Sequence, residues 1–88
     1  MSVTIRLNHA LQPYAGGRET IEVNGGNIKE CLIDLTNAFP VFHDILFDTT
    51  NTPAVLVLYD GETIVPRDLE RPVAERSEII IQPMLQGG

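Results

Sequence analysis

Cysteine is almost missing from this chain: Cys31 is the single one in 88 residues. One thiol excludes an internal disulfide framework and the four-cysteine ligand set usual for a [2Fe–2S] cluster. It also makes a cytoplasmic home the expectation. Histidine is nearly as scarce, and the two present, His9 and His43, have no cysteine or carboxylate at ligand spacing. No metal site is expected from such a set. Basic residues number 6 against 12 acidic ones, for a net charge of −6. That balance lacks the basic stripe that neutralises phosphates, which argues against nucleic acid as a partner. It suits a protein steered onto a basic partner surface. No run approaches the roughly 20 apolar residues of a membrane-spanning helix. Met1 to Arg6 alternates like a strand, so a signal peptide is not expected. Phosphate loops of the GxxxxGK[ST] or GxGxxG type are absent, as is any constellation of acid, base and nucleophile. The expected class is therefore a non-enzyme with no catalytic residue.

What is present reads as one small domain. Val3, Ile5 and Leu7 alternate with Thr4 and Arg6, a half-buried strand. "NHALQPYAGG" interrupts with Pro13 and Gly16-Gly17 as a connecting loop, and "RETIEV" resumes the period of two. "NGGNIKECLIDLTNAFP" carries the main helix. Asn27 is its N-cap, with Glu30 placed to reach back to the Asn27 N–H as in a capping box. Ile28, Cys31, Leu32, Leu35 and Phe39 form one apolar stripe, and Pro40 ends the helix. On that stripe Cys31 reads as a small core residue. "VFHDILF" adds a short helical turn that sends Phe42, Ile45 and Leu46 to the core, followed by a polar loop, "DTTNTP". "AVLVLYDGETIV" is a hairpin turned by Asp60-Gly61. "PRDLERPVAERS" is irregular, anchored by Leu69 and Val73, and its Arg67, Arg71 and Arg76 read as scattered surface cations. "EIIIQP" is the last strand. The order is ββαββ plus a final β, with one main helix for the sheet. Residues 1–83 make the domain and 84–88 a flexible tail.

One helix covers one face of such a sheet. Yet residues 54–58 and 79–81 are apolar at every position, as in strands buried on both sides. If Val55, Val57, Tyr59, Ile79 and Ile81 face the helix, then Leu56, Leu58 and Ile80 point out of the open face. Either that cluster is a protein-binding surface, or surrounding loops cover it. The tail poses a second choice. Gly87-Gly88 is either a frayed end or a thin thread whose terminal carboxylate, a poor electrophile, is activated by another enzyme. Pro83 ends the strand cleanly, since it cannot donate to a ladder.

Taken together, "VTIRL", "LQPYAGG", the capped helix, "YDGE", "SEIIIQP" and the terminal Gly-Gly resemble the small sulfur carriers of the ubiquitin-like β-grasp group, over essentially the whole chain. That group includes the small subunit of molybdopterin synthase and the thiamin sulfur carrier. The "L-x-P-Y-x-G-G" loop is most similar to the carriers that feed thiocarboxylate-dependent cysteine synthesis. The resemblance implies an α+β β-grasp fold with a mixed sheet of about five strands. It implies that Gly88, preceded by Gly87, is adenylated by an E1-like enzyme that uses ATP, then converted to a thiocarboxylate. That group would donate sulfur to an acceptor enzyme in molybdopterin-type, thiamin-type or sulfur amino-acid biosynthesis. The carrier itself would bind no cofactor. Partner-binding positions would be Leu56, Leu58, Ile80, Gln82, Met84 and Leu85. Gln82 departs from the aromatic residue that molybdopterin-type members often carry before the closing proline, which counts against a molybdopterin synthase partner. The same tail chemistry leaves open a ubiquitin-like modifier, conjugated to lysines through Gly88.

Overall fold

The structure, a computed structural model, describes residues 1–47 and 55–83. The polar loop expected at 48–53 and the tail positions Met84, Leu85, Gly87 and Gly88 lie outside the described residues.

Strands β1 (Ser2–Leu7), β2 (Thr20–Asn24), β3 (Val55–Tyr59), β4 (Glu62–Thr63) and β5 (Glu78–Pro83) form one mixed sheet in the order β2-β1-β5-β3-β4. β1 and β5 run parallel in the middle, with Ile5 opposite Ile79 and Leu7 opposite Ile81, and every other pair is antiparallel. Helices α1 (Ile28–Ala38) and α2 (Val41–Phe47) supply the other side of the core. Val3, Ile5, Ile79 and Ile81 from the central strands meet Ile28, Cys31, Leu35 and Phe42 there, all completely buried. Each such aliphatic side chain contributes about 1.5–3 kcal/mol through burial. Leu32 is buried with the expected stripe, while Phe39 at its end is half-buried against the core.

The start of α1 has more partners than its sequence shows. The Asn27 side chain accepts from the Glu30 N–H at 2.8 Å, so the cap is as expected. The Glu30 carboxylate, however, reaches one residue further back, to the Gly26 N–H at 2.7 Å, and not to Asn27. The Ile28 and Lys29 N–H groups, orphans of the first turn, donate to the carbonyls of Arg71 and Leu69. The irregular segment after β4 thus straps the helix end to the sheet, with Val73 buried beneath it. Gly25 is glycine because the first turn of α1 lies against it: a Cβ there would stand 2.7 Å from the Cys31 backbone nitrogen.

Two other features depart from the sequence reading. The β1–β2 connection is not a plain loop. His9–Ala15 is a 3-10 helix, with Asn8 accepting the Ala10 N–H at 3.0 Å and Gly16 closing it in the left-handed region at φ 66°. It buries Leu11 and Ala15, which turns the connector into part of the core. β4 is only two residues long, because after Ile64 donates to the Val57 carbonyl the chain turns at Pro66. The Asp60-Gly61 turn forms as expected, with both residues at positive φ.

Candidate partner-docking face

The pleat sends alternate residues of β3 and β5 to opposite sides of the sheet. Val57 pairs with Ile81 and Tyr59 with Ile79 on the helix side, where Val55 and Val57 also pack against the core. Leu58 pairs with Ile80 and Leu56 with Gln82 on the other side. Four of the expected partner-binding residues are thus neighbours on one half of the open face. Leu56, Leu58 and Ile80 are half-buried there, in contrast to the completely buried Ile79 and Ile81. Beside Leu58 and Ile80 lies a groove of about 370 Å³, walled by Tyr59, Asp60, Ser77 and Glu78. At the opposite end of the strands, Pro83 pairs with Val55 before the chain continues to residues 84–88.

The other half of the same face is polar and bonded within itself. Arg6 donates from Nε to Glu78 at 3.1 Å and from Nη1 to Glu19 at 3.2 Å. The Ser2 hydroxyl donates to Glu22 at 3.1 Å. Neither Arg6 nor Glu78 draws notice in the sequence, because their proximity needs the first and last strands to be neighbours.

The remaining candidates take structural places. Cys31 is fully buried, and burial, reinforced by the negative charges of Glu30 and Asp34, pushes its thiol up, away from the reactive thiolate. Arg71 lies 5.5 Å from the centre of the Tyr59 ring and donates to Glu62 at 2.6 Å, a bond that raises its already high pKa. Tyr59 in turn accepts the Ala74 N–H at 2.9 Å, so these groups hold the strap in place. Arg76, at φ 63°, occupies a turn and donates its N–H to the Ser2 carbonyl. Among the described residues no three histidine, cysteine or carboxylate side chains gather to hold a metal ion. No helix among them is long and apolar enough to cross a membrane.

No family model and no curated protein matches the chain. Solved structures do. The small archaeal modifier protein 1 of Methanosarcina acetivorans superposes with a TM-score of 0.81, at 23% identity over 99% of this chain and 96% of that one. CysO of Mycobacterium tuberculosis, described as an antigen, gives 0.79 at 19% identity over 94% and 99%. A chain of the Amycolatopsis orientalis BexX/CysO complex gives 0.76 at 21% identity over 98% and 99%. The fold is the ubiquitin-like β-grasp. The likeness first seen in sequence motifs is thus matched by a likeness of fold. Within the β-grasp the strands β3 and β5 lie beside each other and present Leu58 and Ile80 on the side away from α1. At these identities the match speaks for the β-grasp alone, and function rests on the chain's own residues.

Proposed function

We propose that this chain is a sulfur carrier, a protein co-substrate that other enzymes act on. The observation that carries the reading is the joining of two features by one strand. β5 contributes Ile80 to the half-buried aliphatic patch with Leu56 and Leu58, and it runs on, beyond Pro83, into Met84-Leu85-Gln86-Gly87-Gly88. An E1-like enzyme docks on the patch, with Gln82, Met84 and Leu85 continuing the contact towards its active site. There the Gly88 carboxylate attacks the α-phosphorus of ATP and pyrophosphate leaves. A sulfide-equivalent nucleophile then displaces AMP, leaving a thiocarboxylate that an acceptor enzyme consumes in cofactor or sulfur amino-acid biosynthesis. Glycine at 87 and 88 gives the thread no Cβ to clash with a narrow channel. The pairing of a CysO with BexX in one of the structural neighbours accords with a carrier that works in complexes. A cytoplasmic location fits ATP-dependent activation.

A second reading, conjugation to lysines through Gly88, is favoured by the modifier name of the archaeal neighbour. The only lysine of this chain, Lys29, is exposed on the first turn of α1, so self-linked chains would grow from that one site. Intact-mass spectrometry separates the readings. With an E1-like enzyme of the same organism, ATP and a sulfur donor, the carrier gains a form with one oxygen replaced by sulfur, whose alkylation maps to Gly88. A product carrying only carboxylate under these conditions, together with isopeptide-linked conjugates in extracts, would establish the modifier instead.

A further inference from the structure

The groove beside Leu58 and Ile80 has a composition that the aliphatic patch does not explain. Its floor is continuous with the patch, while Asp60 and Glu78 stand in its walls and no basic residue lines it. Arg71 of the strap donates to Glu62 and lies over the Tyr59 ring, with Asp60 contributing more weakly to the negative field around it. Arg6 donates to one oxygen of Glu78, and a carboxylate with about four lone-pair sites can accept further donors. The turn fixes Asp60 in place, because Asp60-Gly61 closes a two-residue hairpin with both residues in the left-handed region. The occupant therefore has an apolar stem long enough to lie on Leu58 and Ile80 and a head with several donors. Arginine has both: a three-carbon stem, and a planar fork more weakly hydrated than an ammonium.

We propose that this groove is the anchor for an arginine on the activating enzyme, its stem on Leu58 and Ile80 and its guanidinium between Asp60 and Glu78. The choice of partner rests on the carrier reading above; the arginine chemistry rests on the groove. From Glu78 to Pro83 the strand advances five residues, roughly 16 Å at the usual rise. The anchor thus holds the sheet at the end opposite the tail and sets the direction in which the tail is fed.

Two measurements test this. Titration of the isotope-labelled protein with N-acetyl-arginine amide shifts amide resonances at 58–61 and 77–80, whereas N-acetyl-norleucine amide does not. Asp60→Asn with Glu78→Gln abolishes the arginine response. Asparagine keeps the left-handed turn, so Asp60→Asn changes charge and not fold. In ATP–pyrophosphate exchange with the E1-like enzyme, Asp60→Asn raises KM about tenfold, as expected for a lost charge-assisted hydrogen bond, with kcat unchanged. Absence of localised arginine shifts, or a wild-type KM for the double variant, overturns the anchor and leaves the carrier role standing. Absence of any exchange by the wild-type protein overturns the carrier role, and the titration still decides the groove.

Discussion

The two halves of the open sheet face are built from the same pleat yet have opposite chemistry. On the β2–β1 side, Thr20, Glu22, Thr4 and Arg6 point outward, and the charges among them are satisfied within the molecule by Glu19, Glu78 and Ser2. On the β5–β3 side, Ile80, Leu58 and Leu56 take the outward positions and are half-buried there. Folding needs only the inner positions, which are apolar in both halves. The polar half shows what an outward face looks like when it only meets water. Measured against it, the aliphatic half is surplus to the fold, and surplus apolar surface is where a partner is to be sought.

Four experiments press on that contrast. The largest effect belongs to the tail to which the aliphatic half leads: removing Gly88 abolishes adenylation in ATP–pyrophosphate exchange and leaves the melting temperature unchanged. Next comes the comparison of neighbours on one strand. Ile81→Ala, on the buried side, costs about 3 kcal/mol in urea unfolding, whereas Ile80→Ala costs about 1 or less. Third, Leu58→Asp raises the KM for activation roughly 30-fold while the protein stays folded, as expected of a central interface residue. Thr20→Asp on the polar half, opposite Arg6, changes KM less than about twofold, and an equal effect from both would erase the distinction between the halves. The smallest effect is that of Arg6→Gln. Its ion pairs are about half exposed, so the loss stays under about 1 kcal/mol and disappears in high salt.

Much of this was legible in the sequence because it depends on neighbours within a few residues. "VTIRL" and "TIEV" alternate, "AVLVLY" and "EIIIQP" do not, and that difference alone distinguishes the two halves. Asn27 as a cap and Asp60-Gly61 as a turn are equally local. What escaped depends on distant segments or on signals that mask one another. Pro13 and Gly16-Gly17 read as loop markers, and they conceal a 3-10 helix whose cap, Asn8, looks like one more loop residue. The capping of α1 by the carbonyls of Leu69 and Arg71 joins residues about forty positions apart. The groove and its carboxylates appear only when Glu78 is brought beside the Asp60 turn. Gly87 and Gly88, which carry the chemistry in the proposed reading, were legible as a motif and lie outside the described residues.

The parallel pairing of Ser2–Leu7 with Glu78–Pro83 also has a kinetic side. β5 sits between β1 and β3, so the middle of the sheet stays open until the last strand to be synthesised arrives. Closing a loop of some seventy residues is slow compared with forming the β1–β2 hairpin or α1. A ribosome-bound chain short of Glu78 therefore exposes Ile5, Leu7 and Val57 along unpaired strand edges, a target for chaperones. In the proposed carrier reading Ile80 belongs to that same strand, so a half-made chain would offer an activating enzyme no complete surface. Assembly order itself would then act as the first checkpoint on which molecules are charged.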